Sequence, residues 1–198
     1  EGSDGLSSDT DSLEVIHWSQ EAMGRLESNA DEKTVQYIMT GCACQYPKAS
    51  LKDLREEYAR TEDIASVQRK LQDRFETFLR DTLQLEEDLL LTVVEKGWGT
   101  AGILEEGKIV ATKIPKSGFL EQYLKEEDPD RKREMYCHCP RVRDSLALSE
   151  ELPQSYCYCG AGFYKGIWEE ITQKPVEVEI LESVLSGGDV CRVAIYLS

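Results

Sequence analysis

The chain has 198 residues, 40% of them apolar, and a net charge of −15. The apolar share suffices for a real core, while the acidity argues against a nucleic-acid partner, whose phosphates call for a basic surface. No apolar run nears the roughly 18 residues that a membrane span requires.

In chain order, residues 1–11 are dominated by Gly, Ser, Asp and Thr and read as a disordered tail. Residues 12–98 read as a helical region. Leu13, Ile16, Trp18, Met23 and Leu26 recur at helical spacing behind an N-cap at Asp11 or Ser12. Asn29-Ala-Asp31 ends that helix and caps the next, which carries Val35, Ile38 and Met39 to Gly41. Cys42-Ala-Cys44-Gln-Tyr-Pro47 follows as a loop. A helix from Ser50 and a longer one from Asp63 to Arg80 come next. Leu85 to Trp98 fits helix or buried strand, and helix is the expectation.

Residues 99–198 read as an α+β sheet region, forming one compact unit with 12–98. A β-hairpin is expected around Glu106-Gly107, then a short helix over 117–125 and a charged loop over 126–134. Met135 to Cys139 reads as extended, and Arg141 to Leu148 as a continuing strand. The last helix starts near residues 157–162, on Phe163, Ile167, Trp168 and Ile171, and ends before Pro175. A final hairpin, Val176–Leu185 and Val190–Leu197, closes the chain around Ser186-Gly-Gly-Asp189. The fold class is therefore α+β: a helical N-terminal half packed on a C-terminal antiparallel sheet, with a helix before the final hairpin.

A tight turn in that hairpin sets residue 184 opposite 191, 182 opposite 193 and 180 opposite 195. One face then collects Val178, Ile180, Glu182, Val184, Cys191, Val193, Ile195 and Leu197. Glu182 becomes the single carboxylate on a buried face, diagonal to Cys191. Such a group needs a partner, a proton or a cation. It reads either as a general acid/base or ligand, or as half of a salt bridge at a strand end.

Seven cysteines make an odd number, with six in three Cys-x-Cys pairs: Cys42/Cys44, Cys137/Cys139 and Cys157/Cys159. That argues against an evenly paired secreted disulfide scaffold. No basic-then-apolar leader opens the chain, so a cytoplasmic protein with reduced thiols is expected. In an extended segment, Cys137 and Cys139 share a face and His138 points away. Cys157 and Cys159 sit at a helix N-terminus, where the dipole lowers a thiol pKa. The four are candidate metal ligands for zinc or iron, with Cys191 and Glu182 nearby as candidate catalytic groups. The plainer reading makes these cysteines small buried residues. Gly160 and Gly162 allow a close approach, either of a cofactor or of another backbone.

The stretch Cys157-Tyr-Cys159-Gly-Ala-Gly162, then Trp168-Glu-Glu, Pro175 through Glu182-Ser, Gly187-Gly-Asp189 and Cys191, resembles the closing motif of the 4-vinyl reductase domain. More distantly it is similar to L-2-amino-thiazoline-4-carboxylate hydrolase-like proteins. The resemblance implies an α/β fold that binds a small hydrophobic molecule together with a metal. Such domains commonly carry a cysteine before the Gly-Asp turn, where this chain has Leu185, with Ser183 nearby. A four-ligand site then needs Cys137 and Cys139. The leading expectation is a small-molecule or metal-binding protein, with a homodimer as one compatible state. The alternatives are a hydrolase of a small sulfur- or nitrogen-containing substrate, with Glu182 as acid/base and Cys191 or Cys159 as nucleophile, and a structural or assembly protein with core cysteines.

Overall fold

A computed structural model describes residues 6–198. Of the expected disordered tail, residues 1–5 lie outside the described residues, and Ser7 to Thr10 form a hydrogen-bonded turn. Five α-helices then follow: α1 (Ser12–Asn29), α2 (Glu32–Gly41), α3 (Lys52–Thr61), α4 (Ile64–Thr77) and α5 (Glu87–Glu95). Asp11, Asp31 and Asp63 cap α1, α2 and α4 by accepting backbone N–H groups of their first turns. A π-helical turn over Phe78–Thr82 extends α4.

The sheet has four antiparallel strands in the order β1-β2-β4-β3, namely β1 (Ile103–Glu105), β2 (Lys108–Thr112), β3 (Val176–Glu182) and β4 (Arg192–Leu197). Between β2 and β3 lie α6 (Leu120–Lys125), α7 (Pro129–Tyr136), α8 (Pro140–Ala147) and α9 (Tyr158–Thr172). The architecture is α+β, as expected. Helix α9 lies on one face of the sheet. Its Ile167, Trp168 and Ile171 bury against Ile109, Ala111, Val193 and Ile195, and Leu54, Val67 and Leu71 close the same core from α3 and α4. The opposite face is partly solvated: Leu181 and Tyr196 are exposed, although Ala194 is fully buried.

Two expected segments are helices instead. The charged loop over 126–134 contains α7, and the strand over 141–148 is α8. The cause is the position of proline. Pro129 and Pro140 occupy the first turns of these helices, where no N–H is required and the fixed φ suits a helix. Asp128 also caps α7 by accepting from Asp130 and Arg131. Only Cys137-His138-Cys139 stays extended between them.

The final hairpin keeps its expected faces but slips by two residues, pairing Ile180 with Val193, Val178 with Ile195 and Val176 with Leu197. A shift of two preserves the side of every residue. The connection is not a tight turn. A 3-10 turn over Val184–Ser186, capped by Ser183, and a left-handed Gly187 lengthen it. A bulge between Ile180 and Glu182 sets Glu182 opposite Arg192.

Candidate functional site

The extended Cys137-His138-Cys139 segment turns both cysteines into the second hydrophobic core, beside Val184 and Cys191. His138 faces the other way, and its Nε2 donates to the Ile114 carbonyl at 2.8 Å. Backbone N–H groups of Cys139 and Val184 lie near the Cys137 and Cys191 sulfurs and favour their thiolates. Cys157 enters from the start of α9 into the same region, close enough to feel the charge of Cys191, Cys137 and Cys139, with the Ser183 hydroxyl nearby. Ser183, buried, thus lies beside the cluster.

Residues two apart on a helix point about 200° apart, so Cys157 and Cys159 face different neighbours. Cys159 turns to the end of α2, where its Sγ donates to the Cys42 carbonyl at 3.4 Å. Cys139, Cys44 and Cys42 are the sulfurs around it. The thiols therefore form an inner group of Cys137, Cys157 and Cys191, an outer group of Cys159, Cys42 and Cys44, and Cys139 between them. Cys42 and Cys44, placed by sequence in a remote helical half, belong to this row. All seven are free thiols.

Burial outweighs the helix dipole here. It pushes the Cys137 thiol up to about 11 and raises Cys157 and Cys191 as well, and neighbouring sulfurs add to the effect at Cys137 and Cys157. Cys159 is also raised, again chiefly by burial. The expected lowering at the N-terminus of α9 is therefore overturned. A 3-10 segment over Gln154–Cys157 runs into α9, so Cys157 sits inside a continuing turn rather than in front of an open helix end. Two cations oppose this trend. Lys113 favours the thiolate at Cys137, Cys159 and Cys191, and its backbone N–H donates to the Cys191 carbonyl at 2.9 Å. Arg141 lies near Cys139 and Cys159 and donates to the Tyr156 hydroxyl at 3.1 Å. Sequence reasoning missed both cations: Lys113 lies outside every cysteine motif, and Arg141, two residues after Cys139, was expected to open a strand.

Glu182 is not a lone buried carboxylate. It is partly exposed, its Oε1 accepts from the backbone N–H groups of Asp189 at 2.9 Å and Val190 at 3.2 Å, and its Oε2 lies 4.0 Å from Arg192. The bulge that moves it opposite Arg192 is the reason. The carboxylate braces the loop before Cys191. A Cβ at Gly188 would meet the Glu182 Cγ at 2.6 Å, so this glycine makes room for the brace.

Gly162 permits a close approach by backbone. A Cβ there would lie 2.8 Å from the Thr40 Cα and nearer still to its carbonyl oxygen, so α2 crosses α9 at this point. A Cβ at Gly160 would meet nothing within 4 Å.

The donor chemistry, soft thiols flanked by cations, suits zinc or iron. As they stand, no group of three or more His, Cys, Asp or Glu side chains among the described residues is gathered to hold a metal ion. No helix among the described residues is long and apolar enough to cross a membrane.

A family of unknown function (DUF6144) matches residues 130–198. That segment runs from α7 to β4 and holds Cys137, Cys139, Cys157, Cys159 and Cys191, but neither Cys42 nor Cys44. No curated protein and no solved structure matches the chain.

Proposed function

We propose that the chain is a thiolate-site protein, akin to the 4-vinyl reductase domain, that binds zinc or iron through Cys137, Cys139, Cys157 and Cys191 and presents it to a small molecule. One observation carries this reading: four free thiols from three separate chain segments converge around the Ser183–Val184 turn. Cysteines that merely pack a core would have no need of one another. Here they share one region, beside a lysine in an otherwise acidic chain. A bound cation would offset the mutual repulsion of the thiolates, and the side chains would turn to gather the sulfurs around it. When bound, the metal supplies Lewis acidity or a structural tie. The chain's own residues hold the thiols in place, with Glu182 bracing the loop of Cys191 and Lys113 offsetting negative charge. Reduced thiols of this kind suit a cytoplasmic setting.

The test is the metal content of protein purified without chelator. About one equivalent of zinc or iron per chain, lost in Cys157→Ser and in Cys191→Ser but kept in Cys44→Ser, is the expected result. Metal-free protein that takes up neither ion on titration overturns the proposal.

A further inference from the structure

The geometry points to a second site: we propose that the cleft between the end of α5, the end of β2, α6–α7 and the start of β4 binds a small organic anion, a carboxylate or a phosphomonoester. Its volume is about 440 Å³, within the ~300–1,000 Å³ usual for small-molecule pockets. The inference does not rest on the thiol reading.

Charge is the first argument. The chain carries 38 acids against 23 bases, yet Lys96, Lys132, Arg133 and Arg192 line this cleft against two carboxylates, Glu127 and Asp189. Among the side chains that line the cleft, bases outnumber acids, the reverse of the chain as a whole. Arg133 is paired with Asp130 at 2.7 Å, and Arg192 reaches Glu182 at 4.0 Å. Among the described residues, neither Lys96 nor Lys132 makes an ion pair with a carboxylate; Lys132 donates to the Glu126 carbonyl at 3.2 Å. These two ammonium groups are the ones placed to meet an outside anion.

The walls are the second argument. Lys96 lies over the Trp98 ring at 5.5 Å and Lys132 over the Tyr123 ring at 5.1 Å. Ring faces hold each ammonium in a fixed position without neutralising it. The rings themselves meet edge to face at 5.9 Å and are nearly fully buried, so the floor is rigid. Pro129 and Val190 add apolar surface for the body of an organic ligand. Preorganised cations over an apolar floor fit an anion with a small carbon body better than a bare oxyanion.

Isothermal titration of the full chain at low salt tests this with benzoate, phenyl phosphate, inorganic phosphate and benzylamine as probes. Benzoate or phenyl phosphate should bind, and phenyl phosphate should outbind inorganic phosphate. The double variant Lys96→Ala/Lys132→Ala should weaken binding about tenfold or more, the effect of losing a charged hydrogen bond. Lys96 is exposed, so the single variant Lys96→Ala gives a readout free of any folding loss and should also weaken binding. Cys157→Ser should leave it unchanged, which separates this site from the thiols. Absence of binding by either organic anion, binding unaffected by the lysine variants, or benzylamine binding as tightly would overturn the proposal. Inorganic phosphate binding as tightly as phenyl phosphate would overturn the requirement for an organic body.

Discussion

Glu182 shows how much depends on one residue's register. Its side of the strand was legible from alternation, because a slip of two residues keeps every side chain on its face. The bulge that sets it opposite Arg192 was not, since it depends on a loop built from a 3-10 turn and a left-handed glycine. With two backbone N–H groups and an arginine as partners, Glu182→Ala should lower stability by about 1–3 kcal/mol in chemical denaturation, and Glu182→Gln by less. Thiol chemistry gives a second expectation at this scale. In metal-free protein, iodoacetamide followed by mass spectrometry should label the exposed Cys42 and Cys44 first. Cys137 and Cys157 should react last, because burial keeps both protonated at neutral pH. Away from the thiols, Arg74 holds the Asp53 carboxyl below its usual value, chiefly through a hydrogen bond. That contribution is present above the unfolded carboxylate value and is lost as pH falls through the folded one. Asp53 is largely exposed, so Asp53→Asn should cost about 1 kcal/mol or less at neutral pH.

Among the elements, α9 decides where the thiols meet. Its apolar face and its end before Pro175 were readable from the sequence. Its crossing with α2 was not, although Gly162 carried the signal: a glycine within a helix often marks a place where another backbone comes close. Gly162→Ala should destabilise by about 1–3 kcal/mol or more, because the neighbour it would strike is backbone. Gly160→Ala should be neutral or stabilise by up to about 1 kcal/mol, since open space surrounds it and alanine favours the helix. Thermal melts of the two variants check the contrast. The helices α7 and α8 were missed for a definite reason. The density of charge over 126–134 and the extended segment before Arg141 pointed to loop and strand, whereas a proline in the first helical turn is a helix start.

Across the molecule, the sequence separated Cys42 and Cys44 from the other cysteines by almost a hundred residues, and only the packing of α2 on α9 brings them to one row. The convergence of the thiols is a property of the whole fold, as is the placement of Lys113 and Arg141 beside them. The central claim is that Cys137, Cys139, Cys157 and Cys191 act together on one metal ion. Cobalt(II) added to the metal-free protein tests it most directly, because sulfur-to-cobalt charge transfer absorbs strongly only when thiolates coordinate. The account predicts an intense near-ultraviolet band that saturates at about one equivalent and collapses in Cys157→Ser and Cys191→Ser. No such band in the wild-type chain, or one that persists undiminished in both variants, would contradict it.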